Sequence, residues 1–355
     1  MDHRWLLRLA LLTALLVLGP PTTLRGGTTH LSGWAGVDAL NVTLLHSGDG
    51  YGSVVPMDAG NAPCRPLSQA PYYSPTKGSV CYGGLARRSG VVAAVRGEVE
   101  ASGGSVALVD AGNALLGSLY YATFGSEVIA SYYNLMRYDA VKLEVHDFTS
   151  GLGQVANFTR LLTTGGNATA TVVSSNLVHL NNDSRFVAQA DGAQVVPYAL
   201  VKLGGSGEVL GFIGTMAQGL STMFANPRAI NSTPELVAMR TAVGLLQNLG
   251  VNKIVASVSG ASVADSIIDE VPGIDVLIVL SQLYGGPNTT NTTTSAGPYP
   301  TMRVMPWGQP VLIVGTGVNS GQYLGRLDLD FDDHGVIRSW RGAPIRLDDG
   351  SPSMR

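Results

Sequence analysis

Acid, imidazole and amide side chains gather at three places in this chain where an apolar run gives way to a polar turn. The first is Leu40–Gly52, L-N-V-T-L-L-H-S-G-D-G-Y-G, in which the β-prone run Val42–Leu45 breaks into a turn carrying His46, Asp49 and Tyr51. The second, V-A-L-V-D-A-G-N at Val106–Asn113, supplies Asp110 and Asn113. The third, A-V-K-L-E-V-H-D-F at Ala140–Phe148, supplies His146 and Asp147. Polar residues that follow short strands in this way are how an α/β enzyme presents chemistry at the carboxyl ends of its strands. The three junctions therefore outline one composite site with a carboxylate at its lip.

The elements that must position them alternate along the chain. Leu85–Ala101 has apolar residues at intervals of three and four and reads as a helix, followed by a strand at Ser105–Val109. Gly125–Met136 reads as a helix, Ala140–Leu143 as a strand, Asn157–Leu162 as a helix and Ala170–Ser174 as a strand. Gln194–Lys202 and Glu208–Thr215 read as a hairpin through a Gly-rich link. Thr233–Leu249 is a helix with Thr233 as N-cap, Pro234 in its first turn and Gly250 as its stop. Strands at Lys253–Val258 and Ile274–Leu280 bracket a helix at Val263–Glu270. Strands at Val311–Val314, Tyr323–Phe331 and Val336–Arg341 close the pattern, the last pair joined by a turn at Asp332–Gly335. The segments 54–80 and 284–300, rich in Gly, Pro, Asn, Ser and Thr, are expected to be loop insertions. No composition break argues for a second domain within 38–347.

With 355 residues, 45% hydrophobic and 13% charged, the chain can bury a large core. A net charge of −3 offers no basic stripe, so a nucleic-acid polymer is excluded and any nucleotide is a small ligand. Arg4 and Arg8 precede an apolar run, Leu9–Leu18, that ends in Gly19, Pro20 and Pro21, so residues 1–27 are expected to be a secretory signal. An uncleaved anchor is the alternative, but that run is short for a bilayer. No later stretch is long and apolar enough to span, and no lipid-anchor signal follows. Sequons at Asn41, Asn157, Asn167, Asn182, Asn231, Asn288 and Asn291 fit an extracellular glycoprotein. In that compartment Cys64 and Cys81 are expected to pair, two free thiols being the other possibility.

The succession L-L-H-S-G-D, C-Y-G-G-L-A-R, L-V-D-A-G-N, R-Y-D-A-V-K-L-E-V-H-D-F, V-S-S-N-L, G-F-I-G, N-K-I-V-A-S, G-I-D-V-L-I-V and Q-Y-L-G-R-L-D-L-D-F-D resembles the amino-terminal metallophosphoesterase domain of secreted 5′-nucleotidases and apyrases. The resemblance implies a four-layer α/β/β/α sandwich whose strand ends hold two zinc-type divalent metals. It also implies a carboxyl-terminal nucleotide-specificity domain, which these residues do not contain; truncation and a one-domain derivative both remain open.

Two-metal phosphoester hydrolysis needs a bridging carboxylate, imidazole or amide ligands and a metal-bound hydroxide. Carried onto this chain, the family's D-x-H is Asp49-Gly50-Tyr51, with a phenol in place of imidazole. Its bridging aspartate is Asn113 and its G-N-H-E asparagine is Val145. Its two later histidines fall at Ser259 and Ser281, and the final amide at Leu283. Of these seven positions, Asp49 alone keeps its donor. No shift of register restores the rest, since the chain has six histidines and none between His179 and His334. His146 keeps the place of the phosphate-stabilising histidine, but its acidic partner is Thr149, and Asp147 stands where the motif has Glu.

Each residue also has a plain structural role to set against these. Asp49 suits a turn aspartate that orders its own loop, His46 a hydrogen-bonded core histidine, His146 a relic, Asp110 a turn-former and Asn176 a loop-holder. Ser257, Ser259 and Ser281 lack a G-x-S-x-G elbow, and Gly204–Gly207 lacks the G-K-[ST] of a phosphate loop. The reading that follows is a secreted, non-catalytic nucleotidase-like domain that holds no metal cofactor, with small nucleotides as candidate ligands. The alternatives are an active extracellular nucleotide phosphohydrolase using two divalent metals, and a structural extracellular glycoprotein.

Overall fold

The structure is a computed structural model and describes residues 40–58, 62–64, 80–164, 168–178, 186, 194–204, 206–218, 231–286, 295–317 and 321–353. The expected signal at 1–27, most of the 54–80 loop, His179 and the sequons at Asn167, Asn182, Asn288 and Asn291 lie outside them.

The described residues belong to one compact unit, Asp38–Arg355. Its strands, numbered along the chain, are β1 (Leu40–Ser47), β2 (Ser105–Asp110), β3 (Ala140–Lys142), β4 (Thr171–Val173), β5 (Leu177–Val178), β6 (Val195–Val196), β7 (Tyr198–Lys202), β8 (Val209–Gly214), β9 (Asn231–Ser232), β10 (Ile254–Val258), β11 (Val276–Val279), β12 (Tyr284–Gly285), β13 (Gly297–Pro298), β14 (Thr301–Val304), β15 (Pro310–Val314), β16 (Tyr323–Phe331) and β17 (Ile337–Arg346). The helices are α1 (Leu85–Ala101), α2 (Leu119–Phe124), α3 (Ser126–Met136), α4 (Leu152–Thr163), α5 (Glu235–Asn248) and α6 (Ala261–Glu270).

A seven-stranded sheet runs in the order β17-β16-β1-β2-β3-β4-β6 and a six-stranded sheet in the order β14-β15-β11-β10-β8-β7. In the first, β1, β2, β3, β4 and β6 are parallel and β16 returns antiparallel to β1; in the second, β8, β10, β11 and β15 are parallel. Strand periodicity sorts the side chains. Val42 and Leu44 face the second sheet, while Leu45 joins the layer formed with α1, α3 and α4. On the far side α5 and α6 pack on the second sheet through Met239, Leu246, Ile267 and Ile268. Central strands buried on both faces, such as Val276–Val279, are therefore apolar throughout. The result is the expected α/β/β/α layering.

Helix α1 matches its expected bounds. Other expectations need correction. Gln194–Lys202 is not one strand: Pro197, which has no N–H to donate, divides it, so Val195–Val196 pairs with β4 in one sheet and Tyr198–Lys202 with β8 in the other. Thr233 does not cap α5. The helix starts at Glu235 with Pro234 at the N-cap position, which leaves Thr233 one residue too early to cap it; the Thr233 N–H donates to the Asn176 carbonyl. Strand β14 adds an antiparallel edge to β15 that no sequence pattern marks, and β17 runs to Arg346. The 284–300 segment includes a short parallel pair, β12 with β13. Cys64 and Cys81 form a disulfide, with Cα atoms 6.2 Å apart. No helix among the described residues is long and apolar enough to cross a membrane.

Candidate functional site: a hydrogen-bonded cradle at the strand ends

The turns after β1 and β2 run side by side. The N–H groups of Asp49, Tyr51 and Gly52 donate to the carbonyls of Gly112, Asn113 and Ala114, all at 2.9 Å. This pairing brings Asp49, Tyr51 and Asn113 together, and Ser281, following β11 in the second sheet, completes the group. Asp49, Tyr51, Asn113 and Ser281 all adopt positive φ, between 44° and 61°. Non-glycine residues seldom do so, and among the described residues only Leu116 and Arg137 are the others.

The Asp49 carboxylate is fully buried. Its Oδ1 accepts from Asn113 Nδ2 at 2.8 Å; its Oδ2 accepts from the Ser281 N–H at 2.9 Å and the Ser281 hydroxyl at 3.2 Å. Burial pushes its pKa up, against the pull of these donors. The Tyr51 phenol is held protonated well above its ordinary range, first by burial and then by the Asp49 charge. The Asn113 amide oxygen is buried without a hydrogen-bond partner. The His146 ring meets Tyr51 edge-on, centroids 5.8 Å apart.

Asp147 does not pair with His146. It is fully buried and accepts from the N–H groups of Leu115 and Glu144 (both 2.8 Å) and Asn113 (3.1 Å), so it clamps the second junction to the third. Burial raises it to about 7 in spite of those three donors. Asp110 orders its own turn by accepting from the Gly112 N–H at 2.9 Å, and also takes the hydroxyls of Ser47 and Tyr133. Asn176 holds two loops through Met216 and Thr233.

His46 lies between the sheets, stacked on Tyr299 with Nε2 2.8 Å from its hydroxyl, and burial lowers its pKa to about 3. A Cβ on Gly325 would lie 2.0 Å from that Nε2, so only glycine leaves room for the ring.

The remaining ligand positions are used elsewhere. Ser259 donates to Glu235 at 2.6 Å, Glu235 also taking the Thr215 hydroxyl at 2.7 Å. Val145 gives its N–H to Glu144, and Leu283 is buried, bridged to Thr316.

A further charged pair lies buried at the third junction, unannounced by any motif. Lys142 and Glu144 form a buried ion pair at 2.6 Å, with side chains 0% and 3% exposed. Lys142 Nζ also donates to the Thr215 carbonyl at 2.9 Å, and Glu144 accepts from the Val145 and Ala217 N–H groups. Lys142 crosses from one sheet to the other over Gly214, whose Cβ would lie 2.6 Å from its stem. The signal was a lysine and a glutamate two residues apart, hence on one face, in an apolar stretch.

The cradle does not fit a pair of dications. One carboxylate that already accepts from three donors, an amide, a protonated phenol and a hydroxyl carry a single negative charge between them. Among the described residues, the one group of three acid or imidazole ligands within 4.8 Å is Asp332, Asp333 and His334. It sits in the β16–β17 turn at the opposite end of the sheet, where the Asp332 carboxylate already takes the N–H groups of His334 and Val336.

No protein-family model matches the chain. It is 29% identical over 314 residues to the snake venom 5′-nucleotidase of Crotalus adamanteus, covering 87% of this chain and 48% of that protein. It is 27% identical over 326 residues to the 5′-nucleotidase of Homo sapiens, covering 90% and 51%. The crystal structure of a 5′-nucleotidase precursor from Thermus thermophilus superposes with a TM-score of 0.70 at 25% identity, covering 88% of this chain and 56% of that one. The chain thus spans about half the length of the curated relatives it matches. Along nearly all of the described sandwich the chain is similar, in sequence and in fold, to 5′-nucleotidases over about half of their length.

Proposed function

We propose that this chain is a secreted, non-catalytic member of the nucleotidase family, a glycoprotein in which the sandwich serves binding rather than hydrolysis. One observation carries the reading: the three donors on Asp49 occupy both carboxylate oxygens, so the cradle is closed by hydrogen bonds where the family's chemistry would need cations. The names of the relatives point to small nucleotides as the ligands to try. The test is metal analysis of the purified protein together with assays of AMP and ATP hydrolysis. Stoichiometric divalent metal with turnover above background overturns the reading.

A second reading, an active extracellular phosphohydrolase with one ion held on Asp49, draws on the unpartnered side-chain amide oxygen of Asn113 and the positive φ that Asn113 shares with Asp49, Tyr51 and Ser281. Under it Asp49→Ala abolishes all hydrolysis, and an unchanged rate removes this site from consideration.

A further inference from the structure

A cleft of about 500 Å³ opens at the end of the second sheet remote from the cradle. Strands β10 and β15 begin in it and β11 just beyond it, whereas Ser281 of the cradle follows the far end of β11. Its floor is apolar: Val251, Ile254, Ile274 and Ile337 are all buried. One carboxylate breaks that floor. Asp275 is half-buried, its Oδ2 accepts from the Ile254 N–H at 2.7 Å, and its Oδ1 takes no hydrogen bond from any described residue. No fixed cation answers this acid. Lys253, whose charge reaches Asp275, is committed to Glu208 at 2.8 Å and to Asn252 Oδ1 at 2.9 Å. His334, on the rim, is paired with Asp333 at 2.7 Å. Helix α5 ends beside the cleft at Gln247 and Gly250 with no basic residue in its last turn, so the negative end of its dipole adds to the same field. Burial pushes Asp275 up to about 7 against the pull of the Ile254 N–H and of Lys253, as expected of a carboxylate without a counter-ion.

We infer that this cleft binds a small organic cation, an ammonium or guanidinium group on a short aliphatic chain, with the charge on Asp275 and the chain over the apolar floor. The volume suits a small molecule, and among the described residues no group of three acid or imidazole ligands includes Asp275, so a bare metal ion is the poorer fit. The site is independent of the cradle and of any nucleotide bound there. Pairing requires the ionised carboxylate. With a pKa of about 7, Asp275 is about nine-tenths ionised at pH 8 and about one-tenth at pH 6, so affinity falls about tenfold between them.

The test is isothermal titration calorimetry of the full chain with n-butylguanidine and n-butylamine, the two sources of such a charge, and with n-butanol as the uncharged control. The expected result is saturable binding of at least one cation at pH 8, with a dissociation constant on the order of 1 mM for so small a ligand, weakened about tenfold at pH 6. The tighter of the two identifies the group. Asp275→Asn keeps an oxygen that can accept from the Ile254 N–H, so the variant should fold; it should lose about tenfold or more of the affinity at pH 8, and the pH dependence with it. His334→Gln should keep both, which separates Asp275 from the imidazole on the rim. Equal affinity in the parent and Asp275→Asn overturns the inference. So does butanol binding as tightly as the cations, or the absence of saturable heat from either cation up to about 10 mM.

Discussion

Lys142 and Glu144 provide the sharpest test of how the two sheets are joined. Replacing Lys142 by Met keeps most of the stem that lies over Gly214 but strands the Glu144 carboxylate, 3% exposed, without its cation. Removing one member of such a pair costs about 3–5 kcal/mol, because an uncompensated charge stays buried. Glu144→Gln leaves the ammonium stranded and costs a similar amount. In the double variant Lys142→Met with Glu144→Gln no charge remains, and the amide oxygen still accepts from the Val145 and Ala217 N–H groups. Its stability should return to within about 1–2 kcal/mol of the parent, since apolar or neutral replacements of buried pairs are often close to neutral. The assay is urea denaturation of the four proteins at pH 7, read as a double-mutant cycle. A cost below about 1 kcal/mol for either single change, or additive costs in the double, would refute the reasoning.

The remaining expectations concern the core around the site. His46 titrates near 6.5 unfolded and about 3 folded, so the unfolded chain binds a proton first as pH falls. Its contribution is fully present above pH 6.5 and falls by about 2 kcal/mol by pH 5. His46→Gln should lose less stability between pH 7 and 5 by that amount, and equal losses would contradict it. Asp147 and Asp275, both raised to about 7 by burial, act in the opposite sense, lowering stability as pH rises from 4 to 7. They cancel when variant and parent are compared. Gly325→Ala drives a methyl into His46 and should cost about 3 kcal/mol by thermal or urea melts. Reducing Cys64–Cys81, whose sequence separation is 17, should lower stability by about 3 kcal/mol.

Most of the sandwich was legible because its elements obey a single period. The apolar spacing of α1 and the continuous β11 run need no partner to be recognised. What the chain concealed depends on distant partners. Pro197 looks like an interruption within a strand until the chain is seen to change sheets there. Thr233 looks like a cap until Pro234 is seen to hold the N-cap position, one residue nearer the helix. The site was legible as a set of missing donors at Tyr51, Asn113 and Ser281. How Asp49 is satisfied was not, since that depends on an amide 64 residues away and a serine 232 residues away. The same holds for Glu235, an acid at the start of α5 that would pass for a complement to the helix dipole but is taken by Thr215 and Ser259.

The charge at Asn113 decides which chemistry the cradle can hold. Two dications about 3.7 Å apart repel by roughly 18 kcal/mol at an effective dielectric of ~20. A bridging carboxylate touching both at about 2 Å more than offsets this, and a neutral amide does not. Asn113→Asp places a second acid where the Asn113 amide now meets Asp49 Oδ1 at 2.8 Å. Without metal the two acids repel, one is held protonated, and the fold should lose a few kcal/mol. Added Mn²⁺ or Zn²⁺ should then restore stability, by about 2.7 kcal/mol at a hundredfold excess over the dissociation constant, and a chelator should remove the gain. The parent protein, whose Asp49 is already satisfied, should show no such dependence in the same thermal melts. Equal stabilisation of parent and variant by the ion would mean that the parent cradle already binds it, and the donor count on which its inactivity is argued would fail.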